Sequence, residues 1–315
     1  MILRAAVAAL LMTLLATPSL AAVWCVPNGQ IGGQCPKVSP TIQAAIDRGA
    51  PGDIIRIGPG NPPERIVLSK RVRIIGLPGH AITDEGLRPG EALLSFSAPM
   101  SGPLFERLEL VVATSRAGVV VPSTVTNAQF KGVRISSTAT PRPAYGFQAN
   151  ESARTYFIGA IGTVPRVSGF DVGIELNNVA WHDVEADTQI ENNGVGLRVT
   201  HGKGQIFWNT FRNNDVALEV RGAFHTDINA NTFLDNGLAV LWGLADDPHP
   251  ASGLTRQKVM EFNHAVLDGN GEAILVETSP GVLSADYRDD PGCSVQWTNM
   301  TLEGEVQPNH NTRSC

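Results

Sequence analysis

One five-residue pattern recurs through the chain: apolar, small, apolar, variable, apolar. Its clearest copies are Val195-Gly196-Leu197-Arg198-Val199, Val216-Ala217-Leu218-Glu219-Val220 and Leu238-Ala239-Val240-Leu241-Trp242. Val172-Gly173-Ile174-Glu175-Leu176 is another, and weaker copies surround Gly118, Gly146 and Ala273. The small position returns after 28, 27, 23, 21, 22 and 34 residues. Period-two alternation means strand, with the apolar residues on one side and the small and variable residues on the other. A second apolar position precedes each copy, at Val167, Ile190, Phe211, Phe233 and Val266. Between the two lies a turn marked by Asn: Glu191-Asn192-Asn193, Arg212-Asn213-Asn214, Leu234-Asp235-Asn236 and Asp268-Gly269-Asn270. Asn tolerates the left-handed backbone such turns need, and stacked Asn side chains can bond to one another as a ladder.

A repeat of about 22 residues with two or three short strands is one coil of a solenoid, its strands pairing in parallel with the coils above and below. Parallel crossovers are right-handed in nearly all proteins. A leucine-rich repeat of this length would need a Leu-x-x-Leu-x-Leu frame with helical segments, which the chain lacks. The expected fold is therefore all-β: a single-stranded, right-handed parallel β-helix. Ser39-Pro40 ahead of Thr41-Ile42-Gln43-Ala44-Ala45-Ile46-Asp47 reads as a short helix with Ser39 as N-cap and Pro40 in its first turn. Its Ile42, Ala45 and Ile46 make an apolar face that would cap the open end of the solenoid.

The N-terminus carries Arg4, an uncharged apolar run from Ala5 to Ala16, Pro18, and the small-x-small triplet Ser19-Leu20-Ala21. This is the pattern of a secretory signal cut near Ala21 or Ala22. The run is too short to span a bilayer, which takes about 20 apolar residues. Residues 1–21 are thus expected as the signal and 22–315 as one domain. Trp24, rather than a small residue, precedes Cys25, which excludes a lipid anchor there. Export favours disulfides, and local pairs Cys25–Cys35 and Cys293–Cys315 would each staple a terminus. With 24 basic and 30 acidic side chains, a net charge of −6 gives no electrostatic case for nucleic acid or an anionic membrane.

The stretch 41–76, with strand candidates Ile54-Ile55-Arg56-Ile57, Ile66-Val67-Leu68 and Val72-Arg73-Ile74-Ile75 after the helix, resembles the first coils of the pectin-lyase-like right-handed β-helix superfamily. That resemblance implies fold, whereas activity must be sought in the site. The superfamily includes polysaccharide lyases, hydrolases, esterases, uronate epimerases and proteins without catalysis. The hydrolases it contains carry three Asp on adjacent strands. Here the position before the small residue reads Val172, Val195, Val216, Leu238 and Glu272, and the next one out offers Asp171 and Asp215 with Gly194 between them. That argues against a hydrolase. No paired Gln and Asp strings of the esterase kind occur. Calcium is the cofactor the resemblance to pectate lyases would allow, and the sequence alone establishes none.

Asp247-Pro248-His249-Pro250 resembles the Asp-Pro-His-Asp motif of alginate C5-epimerases and related lyases at three positions of four. Removal of the proton α to a uronate carboxylate needs a base of moderate pKa, which His supplies. The segment from Gly243 to Gln257 is longer than its counterparts in neighbouring coils, as is that from Glu277 to Cys293. Both leave the repeat after the last apolar position, so both should emerge on one flank with His201, Lys203, Arg221, His225 and Asp227. The expected acid–base residues are His249, His225, Asp247 and Asp227. Arg221, Lys203, His201 and Arg256 are expected to hold the substrate. Glu175, Arg198 and Glu219 alternate in sign on successive coils, as cross-strand ion pairs would. The small column is expected to face outward, and Trp181 and Trp208 offer surfaces for sugar rings. Two readings follow: a lyase or C5-epimerase acting on an acidic polysaccharide, or a non-catalytic glycan-binding or periplasmic scaffold protein. The oligomeric state stays open in both.

Overall fold

Each coil passes through three faces, and the long strands show how. In the computed structural model, Val172–Glu185, Val195–Phe207 and Val216–Asn229 each run through the first face, turn a corner and continue through the second. Gln189–Glu191, Thr210–Arg212 and Thr232–Leu234 make the third. Strands pair in parallel from coil to coil, Val172 with Val195 and then Val216 on the first face, Ile190 with Phe211 and then Phe233 on the third. Among the described residues antiparallel strand pairs enter near the C-terminus, as at Val276 and Ser284, apart from an isolated bridge between Ala160 and Thr163. The structure describes residues 21–26, 35–151, 154–160, 162–242, 258–263, 266–270, 272–279, 282–284, 294–298, 301–302, 305–306 and 310–311.

The core is a set of columns. Along the second face Ile55, Ile74, Phe105, Phe130, Phe157, Val184, Ile206 and Ile228 follow in register, all buried. Phe105 and Phe130 stack with centroids 4.7 Å apart, and Phe211 and Phe233 stack at 4.9 Å on the third face. Each such side chain contributes about 1.5–3 kcal/mol by leaving water.

The expected Asn ladder is present. Asn193 Nδ2 donates to Asn214 Oδ1 at 3.1 Å, Asn214 Nδ2 to Asn236 Oδ1 at 3.0 Å, and Asn236 Nδ2 to Asn270 Oδ1 at 2.9 Å. The preceding residues, Asn192, Asn213, Asp235 and Gly269, take the left-handed conformation. A second ladder, which the sequence reading does not include, sits at the corner between the second and third faces. There Asn209 Nδ2 donates to Asn231 Oδ1 at 3.1 Å, behind left-handed Trp208 and Ala230.

Two expectations are corrected. The small column does not face outward. A Cβ added at Gly118, Gly146, Gly173 or Gly196 would stand 2.5–2.6 Å from the carbonyl oxygen of the small residue one coil on. Closely spaced backbones, rather than a packed segment or a flat ligand, demand the small residues. The helix runs Ile42–Arg48 with Thr41 as its N-cap, not Ser39. Thr41 Oγ1 accepts from Ala44 N, and the Glu64 carboxylate accepts from the amides of Ile42 and Gln43 at 2.8 and 3.0 Å. With those first-turn donors satisfied, Ser39 turns its hydroxyl to Thr41 O, and Pro40 lies before the helix. Ile42, Ala45 and Ile46 are buried, as expected of the cap. Cys25 and Cys35 are bonded, while Cys293 and Cys315 lie outside the described residues.

Candidate functional site

The corner between the first and second faces changes along the solenoid. In one coil the turn is made by Asn178, in the next by His201, both with left-handed backbone. Beyond His201, Gly202 and Gly204 sit where a Cβ would meet Val179 O at 2.4 Å and the His182 backbone and ring at 2.0–2.7 Å. Only glycine lets this corner fold over the buried His182. One coil on, the register passes across the corner from Thr200 with Arg221 to Gly202 with Phe224; in the next, Trp242 registers with Val220 and Lys258 with Phe224. Val276 in turn registers with Trp242, and Ser294 with Val259. The described residues that flank the two long segments, Trp242 and Lys258 and then Val276 and Ser294, therefore register beside this corner on successive coils, while 243–257 and most of 277–293 lie outside the described residues.

The second face carries the polar residues beside that corner. Tyr156, Asp183, Gln205 and Asp227 follow in register with their side chains half-buried, as do Glu185, Phe207 and Asn229, while the backbone of Lys203 registers with His225, that of Asp227 with Glu261 and that of Asn229 with Asn263. Lys203, His225 and Asp227 are thus brought together on adjacent coils. Arg221 lies at the edge of the corner, its guanidinium paired with Glu219, which is 3 % exposed and also takes Arg198 at 2.7 Å. Arg198 reaches Glu175 at 3.5 Å, completing the expected ion-pair column. His201 is 7 % exposed, a corner residue below the surface rather than an open contact. Asp247, His249 and Arg256 lie outside the described residues, within the segment whose two ends the corner holds.

The sequence reading follows the first face and passes over Asp183 and Glu185. These stand two apart on one strand and share its outer side. Burial, opposed by the Trp181 indole N–H at 2.9 Å and by Arg154, holds the Asp183 carboxyl above its ordinary pKa. Burial, and then the charge of Asp183, raises that of Glu185. Trp181 and Trp208, 37 % and 60 % exposed, bracket the face at its two corners, with Phe207 edge-on to Trp208 at 6.0 Å. The signal was available: Asp183, Gln205 and Asp227 recur every 22 residues, beside 23 and 21 for the small column on the same coils. Among the described residues no group of three His, Cys, Asp or Glu is arranged to hold a metal ion, so the calcium that the resemblance allows finds no fit there. Asp171 and Asp215 lie at another corner, where Asp215 is open to solvent and 3.9 Å from Arg142.

No protein-family model and no curated protein matches the sequence. Two chains among the solved structures do. A point mutant of the periplasmic alginate epimerase AlgG is similar at 14% identity and a TM-score of 0.44. The alignment covers 79% of this chain and 62% of that one, so the chain spans less than two thirds of its length. No helix among the described residues is long and apolar enough to cross a membrane.

Proposed function

We propose that this is an exported, carbohydrate-active β-helix protein that binds an acidic polysaccharide across its second face and works on it at the first–second corner, as a lyase or C5-epimerase. The observation that carries the reading is the corner itself. The residues that flank two long segments register beside it on successive coils, near Lys203 and Arg221 and at the edge of a face bracketed by Trp181 and Trp208. Long loops over a rigid sheet are where binding clefts form, and exposed indoles suit the apolar faces of sugar rings. In this reading His249 or His225 takes the proton α to the uronate carboxylate, with Asp247 or Asp227 orienting the imidazole. Lys203, Arg221 and Arg256 neutralise the carboxylate, and His201 supports the corner from beneath. Asp183 and Glu185, whose pKa values burial raises, take up a proton more readily than open carboxylates would as an anionic chain approaches. The working compartment is the periplasm or the exterior.

Buried His201 and paired Arg221 favour a second reading, a non-catalytic glycan-binding or scaffold protein, because they leave fewer open cations for a uronate. One screen separates the two. The protein starting at Ala22 is incubated with pectate, alginate and glycosaminoglycans, with and without calcium. Ultraviolet absorbance reports new unsaturated uronate ends, and proton spectra report the uronate ratio. New ends mean a lyase, and a changed ratio without ends an epimerase. His249→Ala or His225→Ala, whichever removes the base, should lower the rate about 10²–10⁴-fold. Binding without either product would overturn the catalytic reading and leave the second.

A further inference from the structure

Asp53, at the head of the strand Ile54–Ile57, is 3 % exposed, and its carboxylate is filled by donors from the start of the chain. Its Oδ1 accepts from Ala22 N at 2.8 Å, and its Oδ2 from Trp24 Nε1 at 3.0 Å and Ala50 N at 2.9 Å. Among the described residues no Lys, Arg or His forms a salt bridge with it. Lys37 acts on it from a distance while its ammonium stands 4.9 Å over the Trp24 ring. Burial works against the charge, but the bonds from Trp24, Ala50 and Ala22, with Lys37, outweigh it and hold the carboxyl below its ordinary pKa, so it stands as an anion facing the Ala22 nitrogen. Ala22 is also fixed from its other side, since Ile54 N donates to Ala22 O at 2.9 Å and Val23 registers with Ile54. The Ala22 nitrogen therefore has a defined place against a buried negative charge. Ala21, just before it, is exposed.

We propose that the Ala21–Ala22 peptide bond is the processing site of the exported chain, and that Asp53 is the acceptor built for the α-ammonium that cleavage leaves on Ala22. A signal-cleaving protease hydrolyses the bond with one water. The carbonyl carbon of Ala21 takes the hydroxyl and leaves as a carboxylate, and the Ala22 nitrogen takes the proton and, at neutral pH, a second from solvent. A hydrogen bond charged only on its acceptor thereby becomes an ion pair, charged on both partners, at the same position. Cutting one residue later would remove Ala22, and with it this contact. Of the two bonds that the sequence pattern allows, Asp53 selects the first. Processing then stabilises the first coil, and the uncut chain lacks that ion pair.

The intact mass of the protein recovered after export should correspond to a chain starting at Ala22; a start at Val23, or an uncut chain, overturns the assignment. A chain starting at Ala22 should melt about 3 °C above the same chain carrying a Gly-Ser extension. Acetylating the α-amine should remove that gain. The gain should be absent in Asp53→Asn, and if that variant fails to fold, the acetylated and free forms of the unsubstituted chain decide alone. Equal melting temperatures for those two forms would overturn the pairing. The α-amine should also react with an acylating reagent at pH 7 about tenfold more slowly than the amine of a short peptide; an equal rate would likewise count against it.

Discussion

His182 is fully buried under the Gly202–Gly204 corner, and burial lowers its pKa from 6.5 to about 3. The folded protein thus keeps a neutral imidazole where the unfolded chain would protonate it. Stability is retained above about pH 6.5 and lost as pH falls towards 3, by a total on the order of 5 kcal/mol. Melting temperatures between pH 7 and pH 4 should show this slope, and His182→Gln should flatten it even if it lowers the plateau. Glu185 runs the other way. Its folded pKa lies above the unfolded value, so its contribution is favourable at low pH and is lost as pH rises through the folded pKa. Glu185→Gln should therefore raise the melting temperature at pH 7 and leave it nearly unchanged at pH 4. If Asp183 and Glu185 also serve substrate, that gain in stability should accompany weaker glycan binding, measured on the same variant by titration calorimetry.

At the scale of elements, the Asn ladders hold the corners where strands end. Asn214 is 2 % exposed and donates from Nδ2 to Asn236 and to Ile190 O, while its Oδ1 accepts from Asn193 N and Nδ2. Asn214→Ala would strand several of these groups in the interior, at about 1 kcal/mol or more each. A loss on the order of 3 kcal/mol in denaturant midpoint analysis is expected, against about 1 kcal/mol for exposed Asn192→Ala, which gives up only the tolerance of Asn for its left-handed backbone. This ladder was legible because its Asn residues fall at one place in a visible repeat. The Asn209–Asn231 ladder has just two Asn, preceded by Trp208 and Ala230, residues that do not announce a left-handed turn. The small column was legible as a column but not in its direction. Alternation suggests an outward side, whereas the close approach of neighbouring backbones decides the matter. In the same way the rows on the second face escaped notice because polar residues at a repeat interval look like an ordinary solvated surface until burial shows Asp183 and Glu185 to be half-enclosed.

At the scale of the molecule, a solenoid must close its ends. The Ile42–Arg48 helix does so at the N-terminal end, with Ile46 buried against the first coils. Ile46→Asp should open that end, expose strand edges and produce concentration-dependent association in light scattering. Stacked parallel coils also give the molecule a mechanical direction. The backbone bonds that join coils lie along its long axis, so tension on the chain ends strips the terminal coil while the rest stay closed. From Asn214 to Asn236, one coil contains 22 residues. Fully drawn out, that is roughly 75 Å of slack. A molecule stretched between a glycan and whatever holds its other end would pay out in steps of that length, and each released coil would limit the load carried by the one beneath it.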